Sequence, residues 1–122
     1  MDYFERKLDD KNRLTIPKEI RLELGEKIVV TRGFGKYLHL YSERVWNTEM
    51  ENALKGDILD ERTADLNVRF RMGKSEPVMD QKQGRITLEA HQLAYAGIAR
   101  DVVAVRVGNY WRLTAAETAA QV

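Results

Sequence analysis

Two short stretches of the chain carry residues suited to recognition chemistry. One is Asp9-Asp10-Lys11-Asn12-Arg13, and the other is Asp80-Gln81-Lys82-Gln83-Gly84-Arg85. Each begins with an acid, passes through polar residues and ends on an arginine. Each then switches to an alternating triplet, Leu14-Thr15-Ile16 or Ile86-Thr87-Leu88. An aspartate at the start of a turn accepts hydrogen bonds from backbone N–H groups two residues on. The place before each arginine needs positive φ in a tight turn, and it holds Asn12 or Gly84, the residue types that tolerate it. That leaves Lys11, Arg13, Lys82 and Arg85 flanking two turn tips. Two readings of these tips are open. An arginine can clasp a guanine edge bidentately, worth about 1–3 kcal/mol of discrimination, while a lysine neutralises phosphate. Alternatively, Arg13 pairs with Asp9 or Asp10 as a surface ion pair worth about 0.2–1 kcal/mol. Two similar basic tips in one chain suggest a repeated reader for a repeated or symmetric target.

Other chemistries lack the residues they require. No cysteine is present, which excludes disulfides and thiolate metal sites. His39 and His91 are the only histidines, and neither has a partner at ligand or triad spacing. Both read as surface or structural residues. Gly33-Phe34-Gly35-Lys36 lacks the spacing of a phosphate loop and reads as a hairpin turn. The carboxylates are scattered, with no apolar setting that marks an acid/base pair. We therefore assign no catalytic residue, no metal, no cofactor and no small-molecule substrate, and expect a non-enzyme. No apolar run approaches the roughly 20 residues of a membrane helix. The first ten residues are too charged for a signal peptide, so a cytoplasmic protein is expected.

Charge alone does not announce a nucleic-acid binder. The 122 residues include 20 Lys plus Arg and 19 Asp plus Glu, a formal net charge of +1. Basic residues must then be concentrated on one face, or an assembly must present several such faces together.

The elements that position the tips come in two copies. Aligning Arg13 with Arg85 sets Leu14-Thr15-Ile16 on Ile86-Thr87-Leu88 and Leu24-Gly25 on Ala96-Gly97. With small loop indels, Lys27-Ile28-Val29 then falls on Asp101-Val102-Val103, Arg32 on Arg106, and Tyr37–Leu40 on Tyr110–Leu113. Each copy reads as a short strand (Tyr3–Leu8; Val78–Met79), the polar turn, and a second strand (Arg13–Ile16; Arg85–Leu88). A short helix and a β-hairpin follow. Ile16, Ile20 and Leu24 share a helical face, with Pro17 at its start and Gly25 at its end. Glu89 and Gly97 hold those places in copy two. Further helices are expected over Glu43–Leu54, with Trp46, Met50 and Leu54 on one face, over Leu59–Met72, with Leu59, Leu66 and Phe70, and over Ala115–Val122. Trp46, Trp111, Tyr37 and Tyr110 read as core or subunit-interface anchors. Arg69–Lys74 reads either as extra phosphate contacts or as a solvated helix face. The fold class is mainly β with short helices, α+β by content, in two halves, 1–58 and 59–122.

The stretch from Leu8 to Phe34 resembles the N-terminal half of MraZ-family proteins and, more widely, the AbrB-type swapped-hairpin motif. Val68 to Leu113 resembles the second MraZ half. The family pattern is Asp-x-x-Gly-Arg in each half. Here Asn12 replaces the first glycine, and Gln81 stands where the second aspartate is due, with Asp80 one place earlier. The resemblance implies two swapped-hairpin halves folding into a β-barrel-like unit, and a ring-shaped homo-oligomer. It implies a nucleoid-associated bacterial transcription factor that binds double-stranded DNA at promoter repeats upstream of a division and cell-wall gene cluster. By position, the DNA-contacting arginines become Arg13 and Arg85; with Lys11, Asn12, Lys82 and Gln83 they form the candidate DNA-binding set. The other reading is an AbrB-type antitoxin that neutralises a toxin and autoregulates its operon. Such proteins tend to carry one motif copy and a long tail, whereas this chain has two copies and almost nothing after Leu113.

Overall fold

A computed structural model describes residues 1–57 and 59–120. In chain order the strands are β1 (Tyr3–Lys7), β2 (Arg13–Thr15), β3 (Ile28–Arg32), β4 (Leu38–Ser42), β5 (Arg85–Thr87), β6 (Asp101–Val107) and β7 (Tyr110–Ala115). The helices are α1 (Lys18–Leu24), α2 (Glu43–Val45), α3 (Glu51–Leu54), α4 (Glu61–Arg71), α5 (Ala90–Ala96) and α6 (Ala116–Ala119), with a π-helical turn, Trp46–Met50, joining α2 to α3. The architecture is mainly antiparallel sheet with short helices. Five strands run in the order β1-β6-β7-β4-β3, and β2 and β5 form a separate two-stranded ribbon. The five-stranded ladder is open, ending at β1 and β3, among the described residues.

Most strand pairings join the two halves of the sequence. β1 pairs with β6, β2 with β5, and β4 with β7. Val30 and Ser75 exchange backbone hydrogen bonds of 3.0 and 2.9 Å along β3. Each half thus covers strand edges that the other would leave unpaired.

Alternation sorts the side chains of β3 and β4 between two cores. Ile28, Val30, Leu38 and Leu40 join the main core with Leu14, Ile16, Ile86, Leu88, Trp111 and Leu113. Val29 and Tyr41 face the other way, onto Val45, Trp46, Leu54 and Phe70. These strands are covered on both faces, which is why they read as nearly unbroken apolar runs. Ile20 and Leu24 pin α1 to the main core, and Gly25, at φ 75°, turns the chain out of it. Gly97, at φ 65° in the left-handed helical region, ends α5.

Several elements differ in detail from the pattern-based expectation. Val78 contributes a single bridge, to Lys27, rather than a strand with Met79. Pro77 precedes it and has no N–H to extend the ladder; its carbonyl accepts from the Ile28 N–H instead. The helix expected over 43–54 widens at the π-helical turn, so Trp46 and Leu54 are buried while Met50 is half-buried. On α4 only Phe70 is buried; Leu66 faces solvent, and Leu59 is exposed ahead of the helix, which starts at Glu61. The helix is tied to the body near its C-terminal end, where Asn67 donates to the Leu54 carbonyl and Phe70 meets the rings of Phe34 and His39. Residues 121 and 122 of the expected C-terminal helix lie outside the described residues. Trp46 and Trp111 are core anchors, whereas Tyr37 and Tyr110 are half-buried against the His39 ring.

His39 is structural and buried. Its Nδ1 lies 2.7 Å from the Tyr41 hydroxyl. Burial, reinforced by the Arg112 guanidinium, lowers its pKa to about 4. The unfolded chain takes up this proton near pH 6.5, while the folded chain resists until about pH 4. The unfolded state therefore binds more protons between those values, and stability falls as pH falls through that window. The shift corresponds to about 3 kcal/mol. Urea unfolding of wild type and His39→Gln at pH 7 and pH 4.5 tests this. The variant is expected to lose most of the pH dependence in that interval, whatever its absolute stability.

Candidate nucleic-acid interface

The ribbon of β2 and β5 sets the geometry of both tips. Arg13 lies opposite Thr87, Leu14 opposite Ile86, and Thr15 opposite Arg85. Side chains alternate across a strand, so Leu14 and Ile86 enter the core while Arg13, Thr15, Arg85 and Thr87 share the outer face. Leu14 and Ile86 are essentially inaccessible to solvent. At the ends of the ribbon the halves clasp each other. The Ile16 N–H donates to the Gly84 carbonyl at 2.8 Å, and the Leu88 N–H donates to the Asn12 carbonyl at 2.9 Å. These contacts exchange under the internal repeat, so the ribbon has an approximate two-fold axis between Leu14 and Ile86.

Each turn is organised by its leading aspartate. Asp9 Oδ1 accepts from the N–H groups of Lys11 (3.0 Å) and Arg13 (2.8 Å), and Oδ2 accepts from Arg13 Nε at 2.6 Å. Asp80 Oδ1 accepts from the Gln83 N–H (2.7 Å); Oδ2 accepts from the Arg85 N–H (3.0 Å) and from Arg85 Nε (3.1 Å). The second turn is one residue longer, and Asp80, not Gln81, takes the organising role. Asn12 and Gly84 both sit at positive φ, 59° and 66°.

The electrostatics follow from these contacts. Burial by itself would raise the Asp9 carboxyl, but hydrogen bonds from Arg13 and Lys11 outweigh it and hold the pKa below its ordinary value. The Gln83 N–H, against the opposing pull of burial, and then the Arg85 N–H and side chain lower Asp80 to about 2. Both carboxylates are therefore ionised at neutral pH and engage their arginines at Nε. Among the described residues no hydrogen bond reaches the Nη atoms of Arg13 or Arg85. The surface ion pair of Arg13 is real, and it leaves the outer edge of the guanidinium free. Arg85 Nη1 lies 4.0 Å from Asp9 Oδ2, so the two arginines converge.

Lys11, Lys82 and Gln83 are exposed at the tips, and Asn12 is half-buried beneath the first. The cations of Arg69–Lys74 are engaged within the fold. Arg69 donates to the Phe34 carbonyl at 3.0 Å, Arg71 grips Glu51 bidentately at 2.9 Å, and Lys74 lies over the Trp46 ring. His91 is exposed and pairs with Glu89. No group of three or more potential metal ligands occurs among the described residues.

Three residues at this site escaped the reading of the tips. Thr15 and Thr87 stand beside the arginines on the outer face, and two-residue alternation could have singled them out. Arg21 reaches from α1 to the second turn, donating from Nε to the Ile16 carbonyl (2.7 Å) and from Nη2 to the Gln83 carbonyl (2.8 Å). Nothing in the local sequence signals a contact across 62 residues.

The two positive-φ positions differ in what they tolerate. A Cβ on Gly84 would sit 2.1 Å from Arg21 Nε, in a conformation already costly for a side chain. Gly84→Ala is expected to destabilise the fold by roughly 1–3 kcal/mol. Asn12→Gly is expected to change stability by less than about 0.5 kcal/mol. Chemical denaturation of the two variants beside wild type checks the contrast.

Comparison with known proteins identifies the chain's family. The family description "MraZ protein, putative antitoxin-like" matches residues 1–67, which include the first turn and β2. The transcriptional regulator MraZ of Clostridium botulinum (strain Alaska E43 / Type E3) is 36% identical over 104 residues, covering 85% of this chain and 72% of the relative. Its counterpart in Kocuria rhizophila is 35% identical over 106 residues, 87% of this chain and 73% of the relative. That of Caldanaerobacter subterraneus subsp. tengcongensis is 36% identical over 109 residues, 89% and 76%. On this similarity, the chain belongs to the MraZ family.

Proposed function

We propose that this protein is a transcriptional regulator that binds double-stranded DNA sequence-specifically through the outer face of the β2–β5 ribbon. The observation that carries this reading is the pair of convergent arginines, each held at Nε by its turn aspartate, with no hydrogen bond to their Nη groups among the described residues. A two-stranded ribbon fits the major groove of B-DNA, about 12 Å wide, and an arginine edge matches guanine O6 and N7. Lys11 and Lys82 flank the ribbon as phosphate partners, with Asn12 and Gln83 beside them. The relatives' name, transcriptional regulator, supports the same reading.

The finer parts of the proposal follow from this. One chain with net charge +1 presents little basic surface, so a ring of identical chains, their tips on one side, reads repeated promoter elements through avidity. The target is the promoter of a division and cell-wall gene cluster, which puts the protein at the nucleoid in the cytoplasm. Halves 1–58 and 59–122 act as one swapped-hairpin, barrel-like unit. The crossing pairs β1–β6, β2–β5 and β4–β7 support that part of the reading.

DNA selected from a random pool supplies the probe, and fluorescence anisotropy across a salt series supplies the affinity. Arg13→Ala and Arg85→Ala are each expected to weaken specific binding by about 1–3 kcal/mol with circular dichroism unchanged. Wild-type affinity should fall steeply with salt. Wild-type binding by both variants would sink the proposal. The family's antitoxin-like description favours one second reading, neutralisation of a toxin. Stoichiometric co-purification of a small toxin whose activity this chain suppresses would move it ahead.

A further inference from the structure

We infer that Arg21 is a positioning residue that makes the two DNA-facing tips unequal, with the second tip locked and the first adaptable. The inference rests on the ribbon reading above and adds to it a residue that lies on a helix, outside both motifs.

The geometry is specific. Arg21 belongs to α1, in the first half of the chain, yet it serves the turn of the second half. Its Nε donates to the Ile16 carbonyl at 2.7 Å and its Nη2 to the Gln83 carbonyl at 2.8 Å. The Ile16 N–H in turn donates to the Gly84 carbonyl at 2.8 Å. The guanidinium therefore closes a loop of hydrogen bonds that ties the end of β2 to residues 83 and 84. It also lies against Gly84, where an added Cβ would collide with its Nε, Cζ and Cδ. Gln83 and Arg85, the residues on either side of Gly84, are held as a consequence.

The first tip has no such brace. Under the internal repeat the counterpart of Arg21 is Leu93, whose side chain is buried in the main core. The Asn12 carbonyl receives the Leu88 N–H, but no side chain from α5 bonds to the first turn among the described residues. This asymmetry accounts for the different residues at the two positive-φ sites. Space above residue 84 is filled by the end of the Arg21 side chain, which a Cβ there would displace. Space above residue 12 accommodates the side chain of asparagine. The longer second turn, with one extra residue between its aspartate and its arginine, is the one that carries the external brace.

A residue that positions the second tip must act on binding through Arg85 and not through phosphate. The Nε–H and one Nη2 N–H of Arg21 are turned onto carbonyls of the protein, and a purely positioning role predicts that its removal leaves the slope of affinity against salt unchanged. A direct phosphate contact would lower that slope by about one unit.

The test combines two measurements on Arg21→Ala. First, amide hydrogen exchange without DNA is expected to rise at residues 83–85 and to stay unchanged at 11–13. Equal protection at both turns, before and after substitution, overturns the inference whatever the protein binds. Second, anisotropy on selected DNA is expected to show about tenfold weaker binding for Arg21→Ala. Arg21→Ala/Arg85→Ala should bind no worse than Arg85→Ala alone, while Arg21→Ala/Arg13→Ala should show the product of the two single losses. Arg21→Lys, which cannot reach both carbonyls from one planar group, should fall between wild type and alanine. Additivity with Arg85→Ala, or a reduced salt slope, overturns the positioning role. If Arg13→Ala and Arg85→Ala both bind like wild type, the ribbon reading fails instead, and the exchange data alone decide whether Arg21 braces the turn.

Discussion

The pairing of β2 with β5 is the constraint on which the rest of the structure depends. Each strand is three residues long and has no other strand partner among the described residues. An isolated pair of this length is at best marginal in water. It is held by Leu14 and Ile86, buried side by side, and by the reciprocal bonds from Ile16 to Gly84 and from Leu88 to Asn12. All of these join one half of the sequence to the other. Neither half forms the ribbon alone, because the other supplies both the opposing strand and the carbonyl that ends the ladder. The same register fixes the two arginines as diagonal neighbours, with backbones about 7–8 Å apart. Folding and the spacing of the candidate reading groups are thus one property.

Much of this was legible in the sequence where a local rule applied. The Asp-to-Arg turns, the positive-φ sites and the alternating triplets are short-range features, and each has a direct chemical signature. The repeat told which strands were equivalent. It did not tell which strands were partners, because a strand paired within its half and one paired across halves carry the same alternation. Helix α4 shows the complementary limit. Leu59, Leu66 and Phe70 are apolar in the pattern, but Leu59 lies before the helix and only Phe70 is buried, because burial depends on where the helix starts and which of its turns reach the sheet. The second turn was ambiguous for a similar reason. Gln81 holds the aspartate position by spacing alone, and only three-dimensional closure shows that a turn one residue longer lets Asp80 reach the Gln83 and Arg85 N–H groups. Arg21 was invisible because its partners lie 5 and 62 residues away.

An acid at the base of a turn proposed to face DNA carries an electrostatic cost, since its charge would oppose the phosphates. The structure limits that cost. Asp9 and Asp80 each accept from two backbone N–H groups and from an arginine Nε, so the negative charge is shared among donors within the fold. In return the guanidinium is fixed at one edge. An arginine side chain loses up to about 2 kcal/mol of rotamer freedom on being ordered, and here most of that loss is taken on folding rather than on binding. A neutral asparagine in place of the aspartate would weaken this arrangement in two ways. It has one acceptor oxygen instead of two, and its amide would set a donor against the Nε donor of the arginine. The acid therefore does what the charge count alone argues against: it makes a chain of nearly balanced charge present two oriented cationic edges on a single face.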